Sequence, residues 1–62
     1  MRSEKELKRD ICRLFRLRET AELRLDYRSA NTYLFRIYQL ESMLGDKPDG
    51  SWSAYQRYLL AT

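Results

Sequence analysis

Arg18-Glu19-Thr20-Ala21-Glu22-Leu23-Arg24-Leu25-Asp26-Tyr27-Arg28-Ser29-Ala30-Asn31-Thr32 either continues one long helix or reverses the chain into a hairpin, and the architecture follows from which it does. Upstream of it, apolar residues recur at Leu7, Ile11, Leu14, Leu17, Ala21 and Leu25, with Phe15 beside them. Spacings of three and four describe one helical face. Downstream, Leu23, Tyr27, Ala30, Leu34, Ile37, Glu41 and Leu44 form a heptad-like seam that holds one acid. At about 100° per residue these two stripes would point roughly 150° apart on a continuous helix. Helical drift of about 20° per heptad is too small to reconcile them.

Two local signals place a reversal differently. The change of register falls near residues 18–22, yet Arg16 to Arg24 consists mostly of good helix formers. Weak helix formers cluster later, from Asp26 to Thr32, where Ser29 or Asn31 would cap a new helix. The reading favoured is a helical hairpin turning near Arg28 to Thr32, with an unbroken helix as the alternative.

Toward the N-terminus, Ser3-Glu4-Lys5-Glu6 is a capping box that starts the first helix. Gly45, followed by Pro48, stops the second helix at Leu44, and residues 45–50 read as a loop. A short helix then starts at Ser51 or Ser53, the latter heading a second capping box, Ser53-Ala54-Tyr55-Gln56. The expectation is one all-α domain over residues 1–62: a helical hairpin with a long N-terminal helix, a second helix ending at Leu44 and a short C-terminal helix, packing as an oligomeric helical bundle.

The oligomer is expected because 62 residues lie where a single core barely offsets chain entropy without a staple. Cys12 is the only cysteine and there is no histidine, so neither an intramolecular disulfide nor a four-ligand zinc site can form. Around the second helix, Tyr27, Ala30, Tyr33, Leu34, Phe35, Ile37, Tyr38, Leu40 and Leu44 span roughly 220°, against about 100° for a helix lying on one core. The bland account covers that arc with the chain's own first and last helices. The functional account gives part of it to a second chain, with an interface of Tyr27, Leu34, Phe35, Ile37, Tyr38, Leu44, Trp52 and Tyr55. The expected function is therefore protein–protein interaction: a self-associating adaptor, regulator or structural subunit, a homodimer with coiled-coil or bundle packing, with another protein as a further partner.

Composition argues against catalysis. Without histidine the commonest general base is missing, and two glycines, both in one loop, cannot build a phosphate cradle. No enzyme activity, cofactor, metal or small-molecule substrate is expected. Cys12 stands beside Arg9, Arg13 and Arg16, which would favour a thiolate, but a small apolar residue at the margin of the core is the simpler reading.

The net charge of +3 comes from residues 1–28, which hold nine of the twelve Lys and Arg against six of the nine acids. Arg2, Lys5, Arg9, Arg13, Arg16 and Arg24 align opposite the first apolar stripe. Such a row would suit a nucleic-acid backbone, so a small nucleic-acid-binding regulator is the alternative function. A merely solvated face explains the row as simply. Membrane binding is not expected, since Arg18 and Glu22 interrupt the apolar stripe and the N-terminus lacks a signal-like apolar run. A lone cysteine without a disulfide framework fits a reducing compartment, so the location expected is cytoplasmic.

Overall fold

Helix α1 (Glu4–Leu23) begins at the capping serine: the Ser3 hydroxyl accepts from the Glu6 N–H at 3.2 Å, and Glu4 and Glu6 put negative charge at the positive end of the helix dipole. The computed structural model describes residues 3–61, and among them the remaining elements are α2 (Tyr27–Met43) and α3 (Trp52–Leu60), with no strand. The fold is all-α, a hairpin followed by a short helix.

The reversal lies at Arg24 to Asp26, so it is neither at Arg28 to Thr32 nor absent in favour of one long helix. Two backbone bonds make it. The Asp26 N–H donates to the Ala21 carbonyl at 2.8 Å and the Leu25 N–H to that of Glu22 at 3.0 Å, the paired bonds of a Schellman ending. Leu25 stands at the left-handed position with φ 59°. Asp26 then caps α2, its carboxylate accepting from the Ser29 N–H at 3.3 Å. That interaction, through the Ser29 side chain and then its backbone, holds the Asp26 carboxyl below its ordinary pKa. The weak helix formers that read as a break in the sequence are instead the opening turns of α2, where Asp, Ser and Asn are well tolerated.

The far end of α2 repeats the motif. Asp46 N–H donates to the Glu41 carbonyl and Gly45 N–H to that of Ser42, both at 3.0 Å, and Gly45 has φ 86°. Helix α3 is capped by Ser51, whose hydroxyl accepts from the Ala54 N–H at 3.2 Å. Ser53, the other candidate cap, lies inside that helix.

The central helix is α1. Both α2 and α3 pack on it backbone to backbone, and α3 reaches α2 through side chains, Tyr58 above all. The core gathers Ile11, Cys12 and Phe15 of α1, Ile37 of α2, and Ala54 and Tyr58 of α3, flanked by Leu14, Leu40, Leu44 and Tyr55. Phe15 is the hub of an aromatic cluster, with ring centroids 5.0 Å from Tyr55 and 5.8 Å from Trp52.

Docking of α3 changes which face of α1 is interior. The buried residues of α1 are Leu7, Ile11, Cys12, Phe15 and Ala21, with Arg18 and Glu22 half-buried and Leu17 exposed. Their mean direction is rotated by roughly 60° from the apolar stripe of the sequence. No helix is long and apolar enough to cross a membrane, among the described residues.

Leu25 combines a left-handed backbone, which costs a non-glycine residue about 1–2 kcal/mol, with 72% exposure of its side chain. Glycine at this position relieves the strain but costs about 0.5–1 kcal/mol in chain entropy. Leu25→Gly is expected to stabilise the fold by about 0.5 kcal/mol, a rise of about 2–4 °C in melting temperature for a domain of this size. Thermal unfolding followed by circular dichroism checks this, and a lower melting temperature would show that the leucine side chain contributes packing.

Candidate interaction surface

The surface is set by a buried carboxylate behind it. Glu41 lies on the inward side of α2 at 0% exposure, the acid that interrupts the seam. One of its oxygens, Oε1, accepts from the backbone N–H groups of Asp49 at 3.2 Å and Gly50 at 3.1 Å. The other, Oε2, accepts from the Tyr58 hydroxyl at 3.0 Å. One side chain of α2 thereby holds the loop and α3 together. The Tyr58 oxygen also lies 3.2 Å from Asp46 Oδ2. Burial first, and then the Glu41 and Asp46 carboxylates, push the Tyr58 phenol above its ordinary pKa.

Gly50 is gripped from its other side by α1. Arg18 Nη1 donates to the Gly50 carbonyl at 2.8 Å while its Nε donates to Glu22 at 3.1 Å. The Arg18 guanidinium lies 5.6 Å from the centroid of the Trp52 ring, within cation–π range. Gly50 has φ 66°, and a Cβ there would sit 2.6 Å from Leu34 Cδ1 and 2.8 Å from Tyr38 Cε1. Only glycine lets the loop lie this close under α2.

Two aromatic groups flank the loop. Phe35 meets Tyr38 edge to face at 6.4 Å on α2, Tyr38 and Leu34 cover Gly50, and on the other side Arg18 holds the Gly50 carbonyl and the Trp52 ring. Of the expected interface residues, Phe35 and Tyr27 are 67% and 60% exposed and Trp52 is also exposed. Leu34, Tyr38, Leu44 and Tyr55 are half-buried. Ile37 is a correction: it is fully buried in the chain's own core and presents no surface. Its seam position faces α1 because the hairpin packs through that line. Glu41, Arg18 and Gly50 are not singled out by sequence as site residues. The available signal is the charge that each of the first two places inside an apolar stripe.

The basic row is exposed at Lys5, Arg9, Arg13, Arg16 and Arg24, while Arg2 lies outside the described residues. None of these five forms an ion pair among the described residues. The neighbouring Tyr55 side chain holds the Arg16 guanidinium above its ordinary pKa. Cys12 is buried in the core, and burial pushes its thiol up more than Arg16 lowers it. No cluster of three or more metal-ligating side chains occurs among the described residues. Comparisons with protein-family models, curated proteins and solved structures give no match.

Because the fold keeps Tyr58 neutral, its contribution to stability is complete below the unfolded phenol pKa of about 10. It is lost as pH rises beyond that point, where the unfolded chain releases the proton more readily than the folded one. Tyr58→Phe is expected to flatten this alkaline loss and, at neutral pH, to cost about 1–3 kcal/mol because Glu41 Oε2 loses a buried donor. Denaturant melts across pH, with tyrosinate absorbance in parallel, measure both effects. An unchanged neutral-pH stability would show that the bond to Glu41 does not hold α3.

Proposed function

We propose that this chain is a protein–protein interaction module that self-associates through the exposed flank of α2, as a dimer of hairpins packing into a helical bundle. The observation that carries the proposal is Phe35, which remains 67% exposed after the chain has packed all three of its helices. One side of the wide apolar arc of α2 lies on α1 and part of the rest on the loop at Gly50, which leaves Tyr27 and Phe35 exposed. Tyr27 and Phe35, with the half-buried Leu34 and Tyr38, recur at helical spacing along this flank. Aromatic side chains in such a patch act as interface anchors. Composition adds to this, because a helical segment of this size with a single cysteine and no histidine gains stability by association. A regulatory or structural role in the cytoplasm, with a second protein binding the same flank, is the reading that fits.

Light scattering across a dilution series tests it. The wild-type chain of 7.5 kDa is expected to scatter as about twice its own mass at high concentration and to lose mass on dilution, as mass action requires. Phe35→Glu, a substitution at an exposed position, is expected to give a folded monomer at every concentration. A wild-type monomer throughout the series contradicts the proposal.

The exposed row on α1 supports a second reading, in which the dimer also presents arginines to a nucleic-acid backbone. Binding to mixed-sequence duplex DNA would then weaken steeply with salt. Arg9→Gln with Arg13→Gln and Arg16→Gln would reduce the slope of log affinity against log salt by about 0.9 for each phosphate no longer neutralised. A titration at low salt without binding removes this reading.

A further inference from the structure

Docking of α3 on α1 leaves a concavity of about 240 Å³ along their junction, lined by Arg9, Cys12, Arg13 and Arg16 of α1 and by Leu59 of α3. Three of these five side chains are guanidiniums, and none is a carboxylate. The arginines are exposed, Cys12 is buried and Leu59 is 39% exposed, so the cations border an apolar base. None of the three arginines forms an ion pair among the described residues. Acids do stand within one turn of them, at Glu6, Asp10 and Glu19, but none lines the concavity. Asp10 borders instead the groove between α1 and α2, with Leu14, Leu17 and Leu40. Helix α3 contributes no acid at all.

We infer that this concavity is a binding site for a phosphomonoester group, with Arg9, Arg13 and Arg16 donating to its oxygens and Leu59 flanking the carbon that bears it. Each guanidinium offers a planar fork of two N–H donors. A carboxylate, or a backbone phosphodiester, has a single charge and two free oxygens to receive three such forks. A monoester carries a charge of roughly −1.5 to −2 at neutral pH and presents three strong acceptor oxygens, which matches the donors in number and charge. Size agrees, because the concavity lies below the roughly 300–1,000 Å³ of pockets that enclose a drug-sized ligand. It has room for a tetrahedral group and the first atoms beyond it. Tyr55, whose ring lies 5.0 Å from that of Phe15, stands beside Arg16 and favours its charged form.

This site goes beyond the reading of the basic row as a nucleic-acid track. On a track the arginines act singly, each on its own phosphate; in the concavity three act on one. Long-range attraction is not what selects the ligand, since α1 as a whole carries six bases against five acids. Selection comes from charge-assisted hydrogen bonds at contact distance, where the lining alone counts. The sequence shows the arginines in a row but not the concavity, because Leu59 and Tyr55 reach them only after α3 has folded back onto α1.

NMR titration of the full chain, following backbone amides and arginine Nε–H signals, tests the inference with N-acetyl-O-phosphoserine amide, glucose 6-phosphate and dimethyl phosphate as probes. Both monoesters should shift Arg9, Arg13, Arg16 and Leu59 first and bind on the order of tenfold more tightly than the diester. Their affinity should fall as the pH drops through about 6, where the second phosphate proton returns, while that of the diester stays constant. Arg9→Gln and Arg16→Gln, both at exposed positions, should each weaken the monoesters on the order of tenfold with helicity unchanged. Arg24→Gln, about 12 Å beyond Arg16 along α1 and past the screening length of about 8 Å, should leave affinity within about twofold. Tighter binding of the blocked phosphoserine assigns the site to a phosphorylated partner protein, and tighter binding of glucose 6-phosphate to a free phosphate ester. Equal affinity for the diester, shifts spread evenly to Lys5 and Arg24, or no binding of either monoester at low salt would each overturn the inference. The first of these results would leave the nucleic-acid track standing.

Discussion

The Glu41 carboxylate is the constraint on which the arrangement of the three helices depends. Burying an ionised carboxylate is costly unless hydrogen bonds replace its hydration. Here two backbone N–H groups of the loop and the Tyr58 hydroxyl take that role. These donors come from segments beyond the end of α2, so satisfying Glu41 requires the loop to lie close and α3 to dock. In a chain with neither cross-link nor metal cluster among the described residues, a buried polar group does the fastening. Arg18 completes it from α1 by holding the carbonyl of Gly50, the residue whose N–H Glu41 holds.

The clasp also determines what stays exposed. Tyr58 reaches Glu41 from a helix that itself rests on α1, so α3 adds nothing to the cover of α2's outer flank. Leu34 and Tyr38 are held half-covered because the loop lies beneath them, and Gly50 makes that approach sterically feasible. Surface and core are thus two sides of one arrangement. Weakening the clasp would free Leu34 and Tyr38 as well as loosen α3.

Much of this is legible in the residues, and what is not has definite causes. Ser3 and Gly45 mark helix ends through local chemistry alone, and the structure uses both. Propensity misplaces the reversal because the turn uses a leucine where glycine or asparagine is the usual signal, and because the Asp26 cap makes a weak helix start look like a break. Periodicity assigns Ile37 to an interface because it finds the apolar line but not which neighbour covers it. The inward roles of Arg18 and Glu41 depend on contacts spanning 32 and 9 residues, and no local pattern encodes such partners. Their position inside apolar stripes is visible, but read alone it looks like a defect in the stripe.

The placement of strain in the hairpin sharpens the relation between stability and surface. Gly45 opens onto free space, with nothing within 4 Å of a Cβ built there, so that end of α2 needs glycine for its backbone and not for room. The backbone requirement at Leu25 is the same, yet a leucine meets it. A left-handed leucine persists only where the surroundings fix the turn, and here the two Schellman bonds and the Asp26 cap do so. The turn is therefore rigid at the point where its side chain is most exposed. A rigid, exposed apolar residue loses less conformational freedom on contact than one on a mobile loop, so the strain at Leu25 is stored where the backbone is already fixed by its own hydrogen bonds.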